Sequence, residues 1–179
     1  MELKLMLVPV EEALPNHTGT IQEQVAAFRQ DFFENFLLRG DEEVPVLLYG
    51  RKNFPTPDGD KDCLFFSVLP FKEMVPALIE KFLTEGATWV MQVSEVNVFE
   101  ANPDGTKKDP TAAKEAVMFA AYGEGWQELA LHHFHRPTPG DMPEPLGNWQ
   151  ICPDATAIGL TGVSPVVLLM EESHAHKSL

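Results

Sequence analysis

The sequence predicts an α+β protein, two helices packed on an antiparallel sheet of about five strands, with a proline-rich C-terminal extension. Three observations predict it. Two segments repeat apolar residues at helical spacing, and several others read as β-strands. The strands come in runs joined by short turns instead of alternating singly with helices. Composition agrees: 44% hydrophobic and 22% charged residues among 179 lie in the globular range. Residues 1–152 read as a single α+β domain. Residues 153–179 read as an irregular segment with one short strand and a frayed end.

The first helix runs from Thr20 to Arg39. Thr20 and Glu23 have capping-box spacing, and Ile21, Val25, Phe28, Phe32 and Phe36 form one stripe that Phe33 and Leu37 widen. Gly40 is the natural stop, with Arg39 favourably placed against the helix dipole. Val44 to Tyr49 and Cys63 to Leu69 read as strands of a long hairpin, joined by the turn-rich stretch Arg51 to Asp62. The second helix lies between Phe71 and Glu85, regular only from about Val75 because Pro76 is tolerated only in a first turn. Phe28, Phe32, Phe36, Leu78 and Phe82 are the expected core residues of the two helices.

Thr88 to Glu100 is the clearest strand. The Asn102–Gly105 turn, Ala113 to Tyr122, Gly123–Gly125 and Trp126 to Arg136 complete a three-stranded meander. Pro137, Pro139, Pro143 and Pro145 make residues 137–147 a loop or polyproline-like stretch. Trp149 to Cys152 and Pro165 to Met170 read as short late strands. This order resembles the profilin-like and roadblock-like folds, in which helices flank an antiparallel sheet. Such a resemblance implies an architecture and assigns no function.

The net charge is −14, which disfavours nucleic acid and anionic membrane surfaces as partners. No apolar run approaches a membrane span, and the N-terminal MELKLMLVPV does not read as a signal peptide. The expected compartment is therefore the cytoplasm, with Cys63 and Cys152 both reduced. Dinucleotide and P-loop glycine signatures are absent, as are GxSxG and HExxH. Asp58 to Asp62 imitates the start of a calcium loop. However, Cys63 stands where such a loop needs glycine, and Leu69 where it needs glutamate.

Three residues stand out. His133 and His135 share one face of a strand about 7 Å apart, with His132 on the other face. They could hold zinc or nickel only with a third ligand, for which Glu95 is the nominee. An exposed strand end without metal is the simpler expectation. Glu95 itself interrupts an apolar row, so burial would demand a partner such as Lys114 or Arg136.

The stretch Val93-Ser94-Glu95, the Asn102–Gly105 turn, Asp109-Pro110 and Lys114-Glu115-Ala116-Val117 resembles a group of uncharacterised bacterial, plasmid and phage proteins. Those carry Ala-Trp where this chain has Val96-Asn97. The resemblance implies an α+β protein, allows a structural role in a mobile element or phage, and carries over no catalytic residue.

The expected function is a non-enzymatic binding or interaction module with a protein partner, without cofactor or metal, and forming a symmetric homodimer. The alternative is a small enzyme or a ligand- or metal-binding protein with its site near Glu95, His133 and His135.

Overall fold

The structure is a computed structural model that describes residues 6–13, 19–39, 46–68, 74–153 and 167–172. The long first helix, α2 (Ile21–Arg39), starts at the capping box. The Glu23 carboxylate accepts from the Thr20 backbone N–H at 2.7 Å, and the Thr20 hydroxyl oxygen accepts from the Glu23 N–H at 3.3 Å. Its predicted Gly40 stop lies outside the described residues. Helix α3 (Val75–Thr84) begins at Val75, with Pro76 in its first turn where the missing N–H leaves no bond unmade. It ends in a Schellman motif: Ala87 N–H donates to Phe82 O at 2.9 Å and Gly86 N–H to Leu83 O at 3.2 Å. Gly86 has φ 94°, the left-handed region that glycine enters without steric cost.

The sheet is larger than the sequence predicts. Seven strands lie in the order β1-β3-β2-β4-β5-β6-β7, and an eighth, β8, pairs with β4 off that path. They are β1 (Met6–Pro9), β2 (Val46–Thr56), β3 (Gly59–Val68), β4 (Trp89–Ala101), β5 (Lys114–Gly123), β6 (Trp126–His135), β7 (Glu144–Pro153) and β8 (Val167–Glu172). All pairings are antiparallel. The expectation of about five strands is therefore corrected. The expected late strands Trp149 to Cys152 and, in its described part, Pro165 to Met170 lie in β7 and β8; proline hides the rest, because Pro9 ends β1 and Pro145 lies in the first part of β7. Both strands sit at the ends of the order, where a missing ladder donor is tolerated. The proline-rich stretch is accordingly strand from Glu144 onward, not loop throughout. A four-residue helix, α1 (Val10–Ala13), adds to the two that the sequence predicts.

The β4-β5-β6 meander and the β2-β3 hairpin form as expected. The hairpin turns later than predicted, because β2 and β3 continue through the polar stretch until Thr56 faces Gly59. An irregularity between Arg51 and Phe54 absorbs Asn53 at φ 50°. There the Asp62 carboxylate accepts from the Asn53 N–H at 3.0 Å.

The two long helices cover opposite faces of the sheet. Trp89, Met91 and Val93 of β4 pack with Val25, Phe28, Phe33 and Phe36 of α2. Val90, their neighbour of opposite orientation, packs with Leu47 and with Val75, Leu78 and Phe82 of α3. Further along the α3 side, Val96, Val98, Ala116, Met118, Ala120 and Leu131 form a third buried cluster. The Trp89 indole lies across Gly50, where a Cβ would stand 2.5 Å from its Nε1. Only glycine lets the ring approach there. Among the described residues, no helix is long and apolar enough to cross a membrane.

Within α2, Phe33 is 2% exposed, while Phe32 is only partly buried. Phe33 stacks on His132 with centroids 4.1 Å apart and meets the Trp149 ring edge-on at 5.4 Å. The apolar arc of the helix is thus broader than the stripe through Phe28, Phe32 and Phe36. Phe33→Ala is expected to cost about 3–5 kcal/mol. Phe32→Ala should cost visibly less, as read from urea melts of the two variants.

Candidate functional site

Glu95 lies on the α2 side of β4, in register with Val117 of β5. It is 8% exposed and has the partner its burial demands. Arg136, just past β6, donates from Nη1 to Glu95 Oε1 at 2.9 Å and to Glu115 Oε1 at 3.0 Å. Its guanidinium also lies 4.8 Å from the Phe134 ring centre and 5.8 Å from that of Phe36. One cation therefore serves two carboxylates beneath the end of α2. Of the two partners the sequence suggested, Arg136 takes the role.

The histidines divide between the faces. His132 pairs with Val117 on the α2 side, is 7% exposed and is held between Phe33 and Trp149. Beside it Arg29, buried in α2, forms an ion pair with Glu128 and lies 5.1 Å over the Trp149 ring. Trp149 Nε1–H donates to Gln30 Oε1 at 2.8 Å. This packed polar group is not among the residues the sequence singles out. Its signal was Arg29, one turn before Phe33 on a face otherwise apolar.

His133 pairs with Ala116 on the α3 side. Glu95 and His133 thus sit on opposite faces of the sheet and share no cleft. His135 follows His133 in the same row, 3.6 Å from the Glu144 carboxylate, with its Nδ1 unpartnered. Among the described residues, no three His, Cys, Asp or Glu side chains are grouped to hold a metal ion.

His133 instead belongs to a cleft of about 290 Å³ on the α3 side. The cleft is bounded by Glu100 at the end of β4, Lys108 and Asp109 in the following loop, Lys114 of β5, and Gln150 of β7. The Glu115 backbone carbonyl can only accept, so His133 Nδ1–H donates to it at 3.2 Å. The ring proton is thereby placed on Nδ1, and Nε2 is left as the atom that takes up or releases the second proton. Burial pushes the His133 pKa below its ordinary value, and the Lys114 charge pushes the same way. The Glu115 carbonyl and the Gln150 side chain act in the opposite direction.

Cys63 is fully buried, and burial raises its thiol pKa, so it is not poised as a nucleophile. Cys152 lies on β7, five strand spacings from β3 and thus roughly 24 Å away, too far for a disulfide within the chain.

Fold and cleft together define an antiparallel α+β sheet with a helix on each face and a small cleft of mixed polar and apolar lining. No family model, curated protein or solved structure matches the chain.

Replacing Arg136 by Met would leave Glu95 buried and uncompensated. The expected loss is about 3–5 kcal/mol at neutral pH, partly restored by adding Glu95→Gln, and a double-mutant cycle in urea measures both. The depressed His133 pKa has the opposite pH signature to a salt-bridged histidine. Between the folded pKa and the ordinary value near 6.5, the unfolded chain binds more protons. The stability linked to His133 is therefore full above about pH 6.5 and is lost as the pH falls below it. Melting curves across pH 7.5 to 5 should show that acid loss in the wild type and less of it in His133→Gln.

Proposed function

We propose that the protein is a non-enzymatic binding module whose ligand enters the cleft at His133. One observation carries this reading: polar side chains from β4, the β4-β5 loop, β5, β6 and β7 converge on a single concavity of about 290 Å³. Small-molecule sites are typically concave with a few converging polar groups, and this volume lies just below their range of about 300–1,000 Å³. The ligand is accordingly small, or is one side chain of a larger partner.

The enzyme alternative would use the same His133 as acid or base. Its other nominee, Glu95, is bonded to Arg136 on the far face, which favours binding over catalysis as the reading. A fragment screen on isotope-labelled protein tests it. Binding should move the amide signals of Val98, Lys114, His133 and Gln150 as one group. Hits confined to another surface would overturn the site. Chemical turnover of a bound fragment that disappears in His133→Gln would overturn the non-enzymatic reading.

A further inference from the structure

The charges around the cleft are unevenly used. Glu100 carries an ion pair with Lys108 at 3.5 Å. Asp109 is turned into its own loop, where one carboxylate oxygen accepts from Thr111 N–H at 2.8 Å and from its hydroxyl at 2.7 Å. Those bonds hold the Asp109 carboxyl below the usual carboxylate range. Both acids of the cleft are therefore already engaged.

Lys114 is not. Among the residues whose side chains the structure describes, a set that leaves out β8, its ammonium has no carboxylate partner, in a chain with 27 acidic and 13 basic side chains. It precedes Ala116 by two residues on the same face of β5, and Ala116 faces His133. That diagonal separates Lys114 and His133 by about 7–8 Å at the backbone, so both side chains can reach one small group between them. The Gln150 side chain reaches the His133 ring from β7. The groups that face a ligand in the cleft are thus the Lys114 ammonium, the His133 imidazole and the Gln150 amide beside it.

We propose that the cleft binds a small oxyanion, a carboxylate or a phosphate- or sulfate-like group, between Lys114 and His133, and that binding is coupled to proton uptake at His133 Nε2. This rests on the cleft being the binding site and names its ligand class. An anion there offsets the repulsion between the Lys114 ammonium and a protonated His133 ring. With Nδ1–H committed to the Glu115 carbonyl, the proton gained on Nε2 becomes the donor to the anion. The other charges near the ring are His132, whose ring lies on the far face, His135 with its Glu144 partner, and the Lys108–Glu100 pair. None of these supplies an unpaired cation facing Lys114. Affinity should rise as the pH falls, by at most about tenfold per pH unit for one linked proton.

The test is a titration of the full chain, labelled at histidine, with sulfate in one arm and acetate in another. Chloride at equal ionic strength is the control. Saturable movement of the His133 ring signals is expected, with tighter binding at pH 5.5 than at pH 7.5 and a His133 pKa raised by the anion. Lys114 is exposed, so Lys114→Gln should fold normally and lose the effect, while Lys114→Arg should keep it. The arm that saturates at lower concentration distinguishes carboxylate from tetrahedral oxyanion. Shifts no greater than those from chloride, or binding unchanged by Lys114→Gln, would overturn the anion site. Neutral fragments that still bind the cleft in that case would leave the binding-module reading standing, and a cleft that takes neither would remove both.

Discussion

Strand β4 is buried on both faces, and the remainder of the molecule is arranged to meet that requirement. Of its residues only Asn97 and Glu100 escape full burial. An antiparallel strand usually presents one face to a core and one to water, and reads as an alternation. Trp89-Val90-Met91 is instead a continuous apolar run, and it needs cover from both directions. α2 supplies one cover with its phenylalanines and α3 the other with Leu78 and Phe82. The polar residues that β4 does bury are matched with partners. Gln92 bonds to Ser94 at 3.2 Å between two apolar clusters, and Glu95 is bonded to Arg136.

Much of this was legible where the signal is local. The capping box at Thr20, the glycine stop after α3, the permitted position of Pro76 and the β4-β5-β6 meander each follow from residues within a few positions of one another. What escaped depends on contacts distant in sequence. β1 and the proline-bearing first part of β7 are the pieces that escaped, and they become strands because β3 and β6 offer them unpaired edges. The choice of Phe33 over Phe32 as the more deeply buried ring was equally hidden. It depends on where His132 and Trp149 come to lie, which the periodicity of the helix cannot report.

The site was half legible for a related reason. Strand alternation correctly separated His132 from His133, and the unusual carboxylate at Glu95 was visible against its apolar row. Whether Glu95 shared a face with His133 depended on the register of β4 against β5 and of β5 against β6. That register places Glu95 opposite Val117, and Val117 opposite His132. A shift of one residue in either pairing would have reversed the outcome. Glu115 links the two faces nonetheless. Its side chain meets Arg136 under α2, while its carbonyl orients the His133 ring beside the cleft.

One edge of β4 is shared end to end by two separate pieces of chain. β2 takes Trp89 to Val93, and β8 takes Val96 to Ala101. These pieces differ in when they exist during synthesis. β2 has left the ribosome before β4 does, whereas β8 is made only after β5, β6 and β7 are complete. Until β8 is made, the Val96–Ala101 part of β4 has no partner on that edge among the described strands, while the Trp89–Val93 part has β2. Such an edge is a template for pairing with other chains. β8, made well after β4, closes it, so the delay between the two strands bears directly on whether the molecule matures alone or aggregates.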